Sequence, residues 1–185
     1  MSPDKMPLAQ PSLVGSKIYL RPTTPEDIAN MYPWFLRCEP QSMSCRPRKL
    51  PTSAELVESF TKREKSTEEE DFTVCRLNDS APVGRIRFFG VNTLNRSAEL
   101  GLLIDPDEHH HGYGSEAMQV LIRYLFKYRG LNKVHAQTAG FNKAAIGMLE
   151  KLGFKRDGTL RDHYFYDQAF HAGYVYSLLL YELDW

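Results

Sequence analysis

No stretch of this 185-residue chain approaches the roughly 18–20 consecutive apolar residues that a membrane-spanning helix requires. The longest apolar run, SLLLY (177–181), has the length of a strand. The opening MSPDKMPLAQPSLVG lacks the basic start, apolar core and small-residue cleavage site of a secretory signal, so residues 1–15 read as a loose leader. Cysteine is scarce. Cys38, Cys45 and Cys75 are an odd number at wide spacings, which fits neither a disulfide framework nor a zinc site. They are expected to be reduced thiols in a cytoplasmic protein with no membrane partner. Excess charge is missing too, with 23 basic against 23 acidic residues. That balance leaves no electrostatic footprint for nucleic acid.

What is present is ordinary globular composition, 42% apolar and 25% charged, in the size range of one α/β domain over 1–185. KIYLRP (17–22) alternates like a half-buried strand. TTPEDIANMYPWFLR then opens a helix, with Thr24 as N-cap, Pro25 in the first turn, and Glu26 and Asp27 at the positive end of the dipole. Pro33 should kink or end it. A second helix starts at Thr52, with Glu55 completing a capping box. The acidic run STEEED (66–71) reads as a solvated loop or helix end.

Three strands follow, DFTVCRLN, PVGRIRFFGV and SAELGLLID, and the short NDSAP turn makes the first pair antiparallel. Residues 115–129 change to a helical period, with Met118, Leu121, Ile122 and Leu125 as a stripe that Val120, Tyr124 and Tyr128 extend. KVHAQTA (133–139) is a strand. NKAAIGMLEKLG is a helix capped by Asn142, striped by Ala145, Met148, Leu149 and Leu152, and stopped by Gly153. The aromatic tail reads as a hairpin around Asp167–Gly173.

The stretch DEHHHGYGSEA (107–117) carries the strongest chemical signal. Consecutive histidines cannot converge on one metal, since neighbours on a strand face opposite ways and a helical pair needs spacing of three or four. No metal site is expected. GYGSEA satisfies G-x-G-x-x-A, but five residues (Asp107–His111) separate the strand stop at Pro106 from Gly112. The next strand ends TAGFN, with no acid to hold a ribose, so a dinucleotide site is disfavoured. A glycine turn feeding a helix start does expose backbone N–H groups beside the positive end of a dipole, which suits an anion. Taken alone, the segment leaves open that the glycines serve only the turn.

The runs AELGLLIDPDEHHHGYGSEAMQVLIRYLF, NKAAIGMLEKLGF and GTLRDHYFY…YSLLLYELDW together resemble the GNAT superfamily of N-acetyltransferases. Within it the chain is most similar to the RimJ/RimL-like branch, over nearly its whole length. The resemblance implies a mixed, mostly antiparallel sheet of about six to seven strands with about four helices. It implies an enzyme that moves the acetyl group of acetyl-CoA to a primary amine, a protein N-terminus or a small molecule, by direct attack in a ternary complex. A non-catalytic acyl-CoA-binding module on the same fold is the alternative.

Residue by residue, His109 to Gly114 match the superfamily's Gln/Arg-x-x-Gly-x-Gly/Ala loop, so backbone amides of His110, His111, Gly112, Tyr113, Gly114 and Ser115 would cradle pyrophosphate. His109 replaces the usual Gln or Arg, which makes a side-chain contact there weaker or pH-dependent, and His110 stands where many members have Gly. The strands Glu99–Ile104 and Val134–Thr138 would diverge around the thioester, with a backbone N–H among Leu102, Leu103 and Ile104 polarising its carbonyl. Glu99 is the candidate base, with an ordinary strand-edge glutamate as the plain alternative. Leu149 occupies the place of the family's acid tyrosine, which leaves that role unassigned, with Tyr164 and Tyr166 as alternative phenols. Asn142 would contact the cofactor or serve only as a cap. Arg161 in TLRDH matches the branch, with a structural salt bridge as the plain alternative. Exposed aromatics in the last hairpin make a homodimer the expected assembly.

Overall fold

Local capping chemistry sets the first helices. Thr24 accepts from the Asp27 N–H and Asp27 returns a bond to the Thr24 N–H, closing a capping box at the start of α1 (Pro25–Asn30). The chain turns at Met31 and resumes as α2 (Tyr32–Arg37). Pro33 thus lies in the first turn of a new helix, where its missing N–H costs nothing, and the break falls before it. Thr52 and Glu55 form the same reciprocal box ahead of α3 (Ser53–Lys62). Among the described residues, the expected pair of helices is therefore three.

The computed structural model describes residues 11–37, 51–62 and 68–183; Cys38, Cys45 and the leader before Pro11 lie outside them. The rest of the leader is not loose. Pro11–Leu13 forms a 3-10 turn, Leu13 is buried, and Val14 bridges Tyr19.

Seven strands make one sheet: β1 (Ile18–Pro22), β2 (Glu70–Arg76), β3 (Pro82–Asn92), β4 (Ser97–Ile104), β5 (Lys133–Ala139), β6 (Lys155–Tyr166) and β7 (Ala169–Leu179). Their spatial order is β1-β2-β3-β4-β5-β7-β6, and every neighbouring pair is antiparallel except β4 and β5. The expected α/β sheet, mixed and mostly antiparallel, is observed. The closing hairpin turns more tightly than its sequence suggested, at Asp167 and Gln168, both with positive φ.

The acidic run departs from expectation. Glu70 and Asp71 begin β2, and Glu69, Glu70 and Asp71 meet Arg87, Arg129 and Arg85 at 2.7, 3.2 and 2.5 Å. A hydrogen-bonded sheet position paired with guanidinium overrides the solubility of three adjacent acids.

Helix α4 (Tyr113–Lys127) crosses the sheet and fills the core with Met118, Val120, Leu121, Ile122 and Leu125, while Tyr124 packs edge-on to Phe72. Tyr128 instead caps the helix and is exposed. Helix α5 (Lys143–Lys151) adds Leu149, with Met148 and Leu152 at the margin.

Candidate active site

β4 and β5 share three rungs, Ser97–Lys133, Ala98–Val134 and Glu99–His135, and then part. Beyond that point β4 stays paired with β3 out to Ile104–Gly84, while β5 stays paired with β7 out to Ala139–Gly173. A wedge therefore opens between the two parallel strands above Glu99. Its lip has a defined polarity. The Asp105 N–H donates to Val83 on β3. Alternation along a regular antiparallel ladder then turns the N–H and C=O of Leu103 and Gly101 toward β3, and those of Leu102 and Ile104 into the wedge. Leu103 thus turns its backbone to β3, whereas Leu102 and the Ile104 N–H face the wedge.

The loop above the lip begins with a 3-10 turn, Pro106–Glu108, capped by Asp105. His110 has φ 66° and Gly112 φ 83°, both left-handed. This explains why glycine suits the place of His110. Gly112 is the N-cap of α4 and supplies no side-chain cap, so helix geometry leaves the first N–H groups of α4 without partners at the positive end of the dipole. A Cβ on Gly114 would stand 3.1 Å from Leu102 and 3.3 Å from Ile104, which shows how closely the helix start is drawn under the lip.

The acids beside the loop are paired with arginines. Asp107 pairs with Arg37 of α2, whose guanidinium holds the carboxyl below the usual carboxylate range, and Glu108 pairs with Arg76 at 2.8 Å. Lys17, which the sequence reading did not single out, donates its Nζ to the His111 carbonyl at 3.2 Å. Its backbone is fixed because Glu116 of α4 accepts from the Ser16 and Lys17 N–H groups. A cavity of about 320 Å³ lies beside it, lined by Ser16, Gly112, Ser115, Gln119 and Lys151 among others. The signal for Lys17 is spatial; 94 residues separate it from its acceptor.

The histidines divide. His109 Nε2 lies 3.2 Å from the Ile104 carbonyl, an acceptor, so the ring donates there and ties loop to lip. His111 stacks on Tyr113 at 5.6 Å. Among the described residues, no group of three or more His, Cys, Asp or Glu side chains is placed to hold a metal.

On the sheet face away from α4, Glu99 stands at the last shared rung with His135, 3.8 Å away. Leu149 is buried in the core and carries no proton. Tyr164 is buried and its hydroxyl accepts from Gln137 of β5 at 2.6 Å, and the Tyr166 ring stacks on Phe141 at 4.9 Å. Asn142 caps α5 by accepting from the Ala145 N–H. Arg161 is exposed and makes no ion pair among the described residues.

Residues 17–155 match the profile of the acetyltransferase (GNAT) domain. Relatives include an uncharacterized N-acetyltransferase, YoaA, of Bacillus subtilis, 30% identical over 52% of this chain and 55% of that protein. A spermidine N(1)-acetyltransferase of Vibrio cholerae is 26% identical over 60% of this chain and 64% of its own length. The matches thus span little more than half to about two thirds of these two proteins. In fold, the crystal structure of spermidine N-acetyltransferase from Vibrio cholerae in complex with CoA and spermine superposes with a TM-score of 0.83 at 21% identity, covering 91% of this chain and 98% of that one.

Proposed function

The chain belongs to the GNAT acetyltransferase family, and from that premise we propose that it transfers the acetyl group of acetyl-CoA to a primary amine by direct attack in a ternary complex. The observation that carries this reading is the wedge: two parallel strands part beside a loop of unpaired helix-start amides. Pyrophosphate would lie on the N–H groups from His110 to Ser115, with Lys17 adding positive charge. The pantetheine arm would run along the lip, where an N–H of Leu102 or Ile104 polarises the thioester carbonyl as negative charge develops on its oxygen.

Glu99 is the proposed base. An amine attacks only in its neutral form, and a carboxylate at the mouth of the wedge can take the ammonium proton directly or through one water. Leu149 gives the leaving thiolate no acid, so in this reading the sulfur is protonated from the attacking nitrogen by way of water.

The acceptor we infer is a protein N-terminus or a small-molecule amine. Relatives named as spermidine acetyltransferases and as a putative ribosomal N-acetyltransferase support both classes and fit a place near the RimJ/RimL-like branch. A neighbour described as dodecameric supports self-association of this chain as well.

The test supplies acetyl-CoA with a panel of polyamines, amino sugars, small amines and peptides with free N-termini, and follows thiol release. Release that depends on one acceptor class supports the transferase. Tight CoA binding without release above background for any amine would favour a binding module instead.

A further inference from the structure

We propose that His135 is the relay partner of Glu99: it positions the carboxylate at the mouth of the wedge and carries the acceptor's proton on to solvent. The proposal rests on Glu99 being the base.

The geometry is specific to one rung. Glu99 and His135 are the last residues that β4 and β5 hold in register, and in-register residues of adjacent strands project from the same face. Both point away from the core, since their neighbours Ala98, Leu100, Val134 and Ala136 are buried in the cluster that α4 helps to fill. The next rung does not exist, so the pair stands at the edge of the opening into which the thioester would enter. His135 Nε2 and Glu99 Oε2 are 3.8 Å apart, with the side chains 29% and 34% exposed. That spacing exceeds a direct hydrogen bond and closes with a small rotamer change or one bridging water.

The surrounding charges are occupied elsewhere. On β3, Phe89 is the cross-strand neighbour of Glu99, and Arg87, beside Gly101, pairs with Glu69. On β5, Lys133 pairs with Asp157 of β6 at 2.6 Å. That lysine, with a smaller contribution from His135, helps hold the Asp157 carboxyl below its ordinary range. Gln137 is engaged by His163 and Tyr164. From β7, Ser177 stands opposite His135 and is buried. Among the described residues Glu99 has no ion-pair partner besides His135.

The proton balance gives the imidazole its task. An ammonium loses two protons on becoming an amide: one ends on the CoA sulfur as the C–S bond breaks, and the other leaves with solvent. The first departs before attack, to the Glu99 carboxylate. The resulting carboxylic acid passes it to the free imidazole nitrogen, and the imidazolium releases it to water. Glu99 is thereby ionised again before the next acceptor binds, without opening the site.

The experiment compares H135A, H135Q and E99Q by steady-state kinetics with the best acceptor of the panel, after thermal protection by CoA shows that each variant folds. For H135A, kcat is expected to fall at least about tenfold with both KM values within about twofold of wild type, and free imidazole in the buffer to restore it. E99Q is expected to fall further and to gain nothing from imidazole. Wild-type kcat in H135A with E99Q impaired would overturn the relay and leave the base standing. Loss in H135A that imidazole does not restore but H135Q does would assign His135 a structural role and overturn the relay too. Wild-type kcat in E99Q would remove the base, and the relay with it.

Discussion

The imidazole of His109 donates to the backbone carbonyl of Ile104 across 3.2 Å, closing the loop onto the lip of the wedge. The bond uses the Nε2 proton, which neutral and charged forms of the ring both carry in this geometry. H109A removes this tie, and CoA affinity measured by calorimetry is expected to fall with it. The same variant loses about 1 kcal/mol of stability, the net value of one such bond.

Lys17 brings an ammonium to the loop from the start of β1. K17M is expected to raise the KM for acetyl-CoA by about tenfold, the order of one charge-assisted phosphate contact, and to leave kcat unchanged. Measured at two salt concentrations, the wild-type KM rises with salt more steeply than that of the variant.

Backbone strain in the loop has a sign that mutation can read. His110 holds φ 66° with a Cβ and Gly112 holds φ 83° without one. H110G is expected to stabilise by up to about 1 kcal/mol, since relief of left-handed strain exceeds the entropy a glycine adds to the unfolded chain. G112A is expected to destabilise by about 1–2 kcal/mol. Thermal unfolding with and without CoA checks both, and G112A should also show reduced protection by CoA.

Asp27 ties α1 to the sheet. It is 5% exposed, forms two bonds with Arg21 at 2.6 and 2.7 Å, and accepts from Thr73 at 3.0 Å. Burial pushes its carboxyl up, but the Arg21 and Thr24 hydrogen bonds outweigh this and bring it down to about 2. A carboxyl lower in the folded chain than in the unfolded one stabilises fully above the unfolded value and loses that effect as pH falls through the folded one. Wild type is therefore expected to lose about 2 kcal/mol between pH 4 and 2 that D27N does not lose, in denaturant titrations at each pH.

The elements that were legible in sequence are those whose causes lie within a few residues. Thr24 with Asp27, Thr52 with Glu55 and Asn142 with Ala145 bond over three residues, so helix starts can be read from adjacent letters. The apolar stripe of α4 and the alternation in β4 likewise depend only on period. What failed depended on distant partners. Glu70 joined β2 and its neighbours Glu69 and Asp71 were drawn in because Arg129, Arg87 and Arg85 meet them, and Leu103 turns from the wedge because β3 takes its backbone.

By itself, the sequence determined the strand and helix order, the two glycines and the uncapped helix start that suit an anion, and the likeness to an acetyl-transferring family. Tertiary structure alone decided which amides face the wedge, that Lys17 reaches the loop, that His109 faces the protein, and that His135 stands beside Glu99. The physical reason is that periodicity and capping act through bonds three or four residues apart. Register between β4 and β5, by contrast, joins residues far apart in the chain, and no local pattern records where two strands part.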